Sequence, residues 1–123
     1  MSADDISVVQ KFRDAIRRED ADGAVALLVP DVEFVQPGRT MHGTDEVREK
    51  YVDRMSGSGP ENMDVEFDPG ELEDLGGGRV AATNHQVFRW KESGELAYER
   101  RARIEYWVRD GKIVRYEATI LDG

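Results

Sequence analysis

The dipeptide Asp110-Gly111, which stands between two stretches of alternating apolar residues, is the feature that most constrains the fold. Asp-Gly favours the tight turn of a β-hairpin, because that turn needs residues that tolerate positive φ. On both sides of the turn every second residue is apolar: Ala102, Ile104, Tyr106 and Val108 before it, and Val114, Tyr116, Ala118 and Ile120 after it. Side chains two positions apart share one face of a strand, so each stretch predicts a strand that buries one face.

Three further strands are predicted along the chain. Residues 80–90 join the hairpin through Lys91-Glu92-Ser93-Gly94, a composition typical of turns. At residues 62–68 apolar residues alternate with acidic ones, which is typical of an edge strand with one solvated face. A short strand is predicted at residues 31–36, where Pro37-Gly38 ends it.

The first half of the chain supplies the helices. The first is predicted over residues 3–18, with Ser2 as N-cap and an apolar stripe at helical spacing. A short second helix is predicted next, capped by Asp20 or Asp22. Its apolar residues are Val25, Leu27 and Leu28, and Pro30 ends it. The third begins at its N-cap Thr44 and presents one apolar face, made of Val47, Tyr51 and Met55.

Helices and strands are therefore segregated along the sequence, and residues 56–60 form a loop too short to separate two domains. This order predicts a single α+β domain over residues 1–123, in which helices cover one face of a curved antiparallel sheet. Long strands twist and coil, so a sheet covered in this way tends to enclose a pocket.

Composition excludes several functions. The chain has no cysteine, which rules out disulfides, thiolate metal sites and cysteine nucleophiles. Its net charge of −9 disfavours nucleic acid and anionic membranes as partners. No apolar run reaches membrane-spanning length and no signal-peptide pattern is present, so we expect a cytoplasmic protein without metal or cofactor.

The order of elements resembles the nuclear transport factor 2-like superfamily, in particular its SnoaL-like and ketosteroid-isomerase-like members. Four segments carry the resemblance: residues 8–12, 26–34, 43–48 and 108–113. The resemblance implies a cystatin-like cone with a deep pocket in the concave sheet, and often a homodimer through the outer sheet face. Members include isomerases, polyketide cyclases, dehydratases, epoxide hydrolases and non-catalytic binders, so the fold does not fix the function.

Two active sites known in this superfamily are largely absent here. A ketosteroid-isomerase-like site has a tyrosine and an aspartate base at positions that resemble Phe12 and Gln36. Phe12 has no hydroxyl, and Gln36 cannot take a proton at neutral pH. The third group of that site is a protonated aspartic acid deep in the sheet. Its position resembles Ile104 if the alternation sets the register, or Glu105 if the strand is shifted by one residue. An epoxide-hydrolase-like site uses an arginine and two aspartates. The positions that resemble them here are Asn84, Gln86 and Ala118, none of which is charged.

The predicted pocket is apolar and aromatic with neutral polar groups. Its predicted ligand-binding residues are Phe12, Phe34, Gln36, Tyr51, Asn84, Gln86, Phe88, Ile104, Tyr106, Tyr116 and Ala118, with Ile16 and Ile120 also facing inward. Such a lining suits a flat polyketide-, steroid- or terpenoid-like ligand, oriented by amides and phenols. We expect Asn84 and Gln86 to face a ligand, water or each other, because unsatisfied buried amides cost about 1–3 kcal/mol each.

Three interpretations remain open. The first is a small-molecule-binding domain that forms a homodimer through its outer sheet face, where Trp107 is predicted to lie. The second is an acid–base isomerase, cyclase or dehydratase in which Glu105 or His42 carries protons. The third is a non-catalytic dimerisation module with a filled core.

Overall fold

The computed structural model describes residues 2–52 and 62–121, with the side chains of helix α1 described from Asp5 onward. The helices are Ser2–Arg17 (α1), Ala21–Val25 (α2) and Thr44–Val47 (α3), and α3 continues as a π-helical turn over Arg48–Val52. The strands are Leu28–Gln36 (β1), Arg39–His42 (β2), Met63–Asp68 (β3), Glu73–Gly76 (β4), Arg79–Trp90 (β5), Leu96–Arg109 (β6) and Lys112–Ile120 (β7). The side chain of Ser2, the residue Met55 and the predicted loop at 56–60 lie outside this description.

The seven strands form one curved sheet that does not close on itself. Its strand order is β2-β1-β7-β6-β5-β3, and β4 pairs with the first residues of β5. Helix α1 packs across β4 to β7, so one face of the sheet is covered and the other is not. The predicted α+β cone is confirmed.

The hairpin at Asp110-Gly111 forms as predicted. Both residues have positive φ, 53° and 77°, as a two-residue hairpin turn requires. The register pairs Ile104 with Ala118 and Tyr106 with Tyr116, so these side chains share the covered, concave face. Nearer the turn the register shifts by one residue, so Ile113 is buried there in place of the predicted Val114. Burial follows this pattern, with alternate residues of β6 from 102 to 108 buried.

One strand pairing could not be predicted from local pattern. Strand β1 pairs with β7 in parallel, with Phe34 opposite Tyr116, whereas all other pairings between the described strands are antiparallel. This pairing joins the first half of the chain to its last strand and places β1 between β2 and β7. Strands β2 and β4 were not predicted either, because each has only four residues and too little alternation to recognise.

Two helix boundaries differ from the prediction. Helix α2 ends at Val25, and Leu28 is the first residue of β1, because the Leu27 carbonyl already accepts a hydrogen bond from the Ile113 amide of β7. Asp20 is the N-cap of α2, and its side chain accepts a hydrogen bond from the Gly23 amide at 2.9 Å. The N-cap of α3 is Gly43 rather than Thr44, which is the first helical residue.

The core lies between the helices and the concave face of the sheet. It includes the apolar side chains of α1, of the π-helical turn and of β1, β6 and β7. The largest fully buried side chains are Phe12, Phe34, Met41 and Ile113. In the part of the chain that the structure describes, no helix combines the length and apolarity needed to cross a membrane.

Candidate functional site

Five aromatic rings, each from a different element, meet at the centre of the concave face. Phe12 comes from α1, Tyr51 from the π-helical turn, Phe34 from β1, Tyr106 from β6 and Tyr116 from β7. The Phe34 and Tyr116 rings are stacked with their centroids 4.5 Å apart, and the Tyr51 centroid lies 5.0 Å from Phe34 and 5.2 Å from Tyr116. We call these five residues the aromatic cluster.

Three of the five rings carry hydroxyl groups, and these interact. The hydroxyls of Tyr51 and Tyr116 share a hydrogen bond, and the side chain of Gln36 also bonds to Tyr116. Burial raises the pKa of Tyr51, Tyr106 and Tyr116, because a phenolate would be poorly solvated there. The three phenols therefore stay protonated, and able to donate hydrogen bonds, to a higher pH than an exposed tyrosine.

This burial predicts a loss of stability in alkali. Folding raises the three phenol pKa values above the ordinary value near 10, so their contribution is fully present below about pH 10. Above that pH the free energy of unfolding should fall by up to about 1.4 kcal/mol per pH unit for each phenol. Urea unfolding followed across this range should show the decline, and Tyr106→Phe should make it shallower. An equally steep decline in Tyr106→Phe would show that this phenol is not protected.

Arg13 brings a positive charge to the border of the cluster. Its Nη2 donates a hydrogen bond to the Gly70 carbonyl oxygen at 2.9 Å, and its side chain is partly buried. The guanidinium lies close enough to Tyr51 and Tyr106 for its charge to act against the rise in their pKa. The predicted lining contained hardly any ionisable group, so Arg13 was missed. Its position four residues after the buried Val9 was the available signal, because such residues share a helix face.

The two amides of β5 have different surroundings. Gln86 accepts hydrogen bonds from Nε and Nη2 of Arg100, at 3.0 and 2.8 Å, so its carbonyl oxygen is satisfied within the protein. Asn84 is buried, with 7% of its surface exposed, and no described residue bonds to its Oδ1. Asn84 therefore retains the free acceptor that the sequence led us to expect, whereas Gln86 does not.

The remaining predicted lining residues lie around the cluster at different depths. Ile104 is buried and Ala118 is partly buried, and both contact the core. Phe88 is also buried but stacks on Tyr98, centroids 4.3 Å apart, and does not contact the aromatic cluster. Ile16 is partly buried, while Ile120 is exposed at the end of β7. The concave face thus has a packed aromatic centre and a more open end formed by β3, β5 and β6.

Neither predicted proton carrier lies on the concave face. Ile104 faces inward, so Glu105 points to the uncovered convex face, where it pairs with Arg79 at 2.8 Å and Arg103 at 3.6 Å. His42 is exposed, and its Nδ1 lies 3.6 Å from Glu33 Oε2. This placement corrects the prediction that Glu105 or His42 serves a concave site, because the sheet itself separates Glu105 from the aromatic cluster.

The convex face carries charged side chains of both signs around one large aromatic residue. Trp107 lies between the guanidiniums of Arg79 and Arg115, whose Cζ atoms are 5.8 and 5.4 Å from its ring centroid. Arg115 also pairs with Glu33 and with Glu117. Within residues 2–52 and 62–121, no group of three or more acidic or histidine side chains is arranged to hold a metal ion.

Comparison with known proteins identifies the family of this architecture. The family model described as a SnoaL-like domain matches residues 9–116. None of the curated proteins matches the chain significantly.

Solved structures share the fold at low sequence identity. An NTF2-like protein from Burkholderia xenovorans LB400 has a TM-score of 0.74 at 20% identity, covering 98% of this chain and 92% of its own. The protein TerC, co-crystallised with polyporic acid, has a TM-score of 0.72 at 22% identity, with 96% and 92% covered. An LEH-like epoxide hydrolase from M. tuberculosis has a TM-score of 0.71 at 20% identity, with 98% and 84% covered. At these identities the likeness shows the fold alone.

Proposed function

The chain belongs to the family of SnoaL-like domains, and from this premise we propose that it binds a flat, largely apolar small molecule with a carbonyl group on its concave face. The observation that carries this proposal is the phenol pair Tyr51–Tyr116 within the aromatic cluster, whose ring centroids lie 5.2 Å apart and whose hydroxyls are hydrogen-bonded. Phenols are neutral at physiological pH and donate hydrogen bonds, and a carbonyl oxygen is the acceptor that suits them. Aromatic side chains around them offer stacking surface for a planar ligand.

Polyketide-, steroid- and terpenoid-like molecules have this combination of apolar skeleton and few oxygens. The protein TerC, which shares the fold, was co-crystallised with polyporic acid. That observation supports polyporic acid as a first probe for this chain. Binding would require Tyr51 and the other cluster side chains to adjust, because they pack closely against one another.

Catalysis by this domain would rest on hydrogen bonding to the ligand rather than on a carboxylate base. A phenol that donates to a carbonyl oxygen stabilises negative charge that develops there during enolisation or aldol chemistry. Isomerase, cyclase or dehydratase activity fits such a site only if the substrate or water moves the proton, because Glu105 lies on the opposite face of the sheet. Binding is therefore the primary function that we propose.

Calorimetric titration with polyporic acid tests this function. We expect saturable binding to the wild type and weaker binding, by about 5- to 10-fold, to Tyr116→Phe, which lacks one neutral hydrogen bond. Tyr98→Phe is the matched control, because Tyr98 is exposed and lies beside Phe88 outside the cluster. Equal loss in both variants would place the ligand elsewhere. Absence of binding to polyporic acid and to other planar carbonyl compounds would favour the dimerisation module with a filled core.

We also propose that two copies associate through their convex faces. Trp107 is a large aromatic residue on an uncovered face, and acids and arginines alternate around it. In a two-fold dimer the same patch meets itself, so interleaved charges allow acids of one copy to face arginines of the other. The Trp107 rings would then be removed from water at the centre of the interface.

Sedimentation equilibrium tests the dimer with a matched pair of variants. Trp107→Glu introduces a negative charge at the centre of the proposed interface, so we expect it to be monomeric. Trp90→Glu makes the same change at the end of β5, where the Trp90 side chain is exposed, and should remain dimeric like the wild type. A monomeric wild type, or dissociation in both variants, would contradict this interface.

A further inference from the structure

Arg13 differs from the arginines of the convex face in its partner. Those on the convex face, such as Arg79 and Arg115, form ion pairs with glutamates. Arg13 has no carboxylate partner in residues 2–52 and 62–121, and its hydrogen bond is to the Gly70 carbonyl. A guanidinium has five N–H groups, and among the described residues only the Gly70 carbonyl accepts from this one. A partly buried cation without a counter-charge is unfavourable, which makes this position a candidate for binding a negatively charged group.

Asn84 supplies a second, independent sign of a ligand. Its side chain is more than nine-tenths buried, and the Oδ1 atom has no hydrogen-bond partner in the described part of the protein. The residue opposite it on β6 is Ala102, whose methyl group can neither donate a hydrogen bond nor fill much space. A ligand that places a hydroxyl or N–H group here would satisfy this oxygen.

Arg13 and Asn84 are connected through the backbone at Gly70, which lies against the residue before Asn84. Gly70 has a φ of 76°, and a Cβ added to it would lie 2.1 Å from the Thr83 carbonyl oxygen. The chain segment that holds the Arg13 guanidinium is therefore in close contact with the backbone of β5 immediately before Asn84. On the concave side the guanidinium also lies near the hydroxyls of Tyr51 and Tyr106.

We propose that the concave face binds an acidic ligand, whose carboxylate or enolate oxygen pairs with Arg13 and whose hydroxyl or N–H group donates to Asn84 Oδ1. This inference rests on the proposed binding function and specifies the ligand class. A neutral ketone or hydrocarbon would leave the cation without a counter-charge and the amide oxygen without a donor. A hydroxylated aromatic acid satisfies both groups and still offers a planar ring to the aromatic cluster.

Three related probes separate the two contacts: a hydroxynaphthoate, the corresponding methoxynaphthoate, and the methyl ester of the hydroxynaphthoate. The ester lacks the negative charge and the methoxy compound lacks the donor, while all three keep the same aromatic rings. We expect the hydroxynaphthoate to bind most tightly to the wild type in calorimetric titrations. Charge-assisted and neutral hydrogen bonds differ in strength, so removing the charge should cost about 10- to 100-fold and removing the donor about 5- to 10-fold.

Substitutions assign each loss to its residue. Arg13→Gln should weaken hydroxynaphthoate binding by about 10- to 100-fold but change ester binding by less than about 3-fold. Arg17→Gln is the matched control on the same helix, because Arg17 is exposed and paired with Asp14, and it should bind like the wild type. Asn84→Leu should weaken binding of the hydroxynaphthoate and of its ester, and leave the methoxy compound unaffected.

The possible results separate this inference from the function on which it rests. If all three probes bind the wild type equally, and Arg13→Gln changes none of them, the concave face binds planar ligands without regard to charge and this inference is wrong. If none of the probes nor polyporic acid binds the wild type, the proposed binding function fails and the inference fails with it. If Arg13→Gln and Arg17→Gln weaken hydroxynaphthoate equally, the effect is that of net charge and Arg13 is no specific partner.

Discussion

Phe34→Ala should lower the free energy of unfolding by about 3–5 kcal/mol, the range observed when a large buried aromatic side chain is truncated. The Phe34 side chain is fully buried, and its ring contacts those of Phe12, Tyr51 and Tyr116. The alanine would leave a cavity at the point where β1 meets β7, which closely packed neighbours can fill only in part. Because small domains are stable by about 5–15 kcal/mol in total, this change should be visible as a large shift of the urea midpoint.

Phe67→Ala provides the matched control for that measurement. It is the same substitution, but the Phe67 side chain lies on the edge strand β3 and is 48% exposed. Folding of the protein removes less apolar surface of the Phe67 side chain from water. We therefore expect Phe67→Ala to lower the free energy of unfolding by less than about 1.5 kcal/mol. Similar costs at both positions would contradict the core packing described for the aromatic cluster.

Asn84→Leu is the second change with a large expected effect, and its direction is unusual. It should raise the stability of the ligand-free protein by about 1–2 kcal/mol, because it removes an unsatisfied buried oxygen and adds apolar surface of similar size. The same variant should bind a hydroxynaphthoate more weakly. Higher stability combined with weaker binding is typical of a residue kept for function, because the unfavourable feature is relieved only by the ligand.

Gln86→Leu is the control for this stability measurement. Gln86 lies two residues further along β5 on the same face, but Arg100 donates two hydrogen bonds to its carbonyl oxygen. Removing those bonds should leave stability unchanged or lower it by up to about 1 kcal/mol, since the Arg100 donors can turn to water. If Asn84→Leu destabilised the protein as much as or more than Gln86→Leu, Asn84 would have a structural partner and the interpretation of its free oxygen would be wrong.

These expectations connect stability to function at one place on the sheet. The aromatic cluster stabilises the fold through the contacts of Phe34, while Asn84 and Arg13 are polar groups that the fold leaves without complete partners. A domain selected for stability alone would bury an apolar residue at position 84 and would keep a cation such as Arg13 in water. Both groups therefore favour a binding role for the concave face.

Much of this architecture follows from local sequence pattern. Alternation in β6 favoured Ile104 and Tyr106 facing inward, and Asp110-Gly111 predicted the hairpin. The pairing of Tyr106 with Tyr116 also depends on a one-residue shift of register at Val114, between Trp107 and the turn. The strand faces and the turn are predictable because side-chain direction in a strand repeats every two residues and Asp-Gly tolerates the positive φ of a tight hairpin turn. The amide at position 84 was recognisable for the same reason, as a polar residue on an apolar face. The bulge at Val114 has no such local signal.

Only the tertiary structure decided which distant segments meet. The parallel pairing of β1 with β7 sets Phe34 against Tyr116, and the fold brings Arg13 of α1 to Gly70 across 57 residues of sequence. Local periodicity carries no information about such partners, because they depend on how the whole sheet curves and on where the helices pack against it. The sequence by itself therefore determined the faces of the strands and the apolar character of the site. Packing alone placed a cation beside it, since a long arginine side chain can reach a distant carbonyl from the edge of an apolar helix stripe.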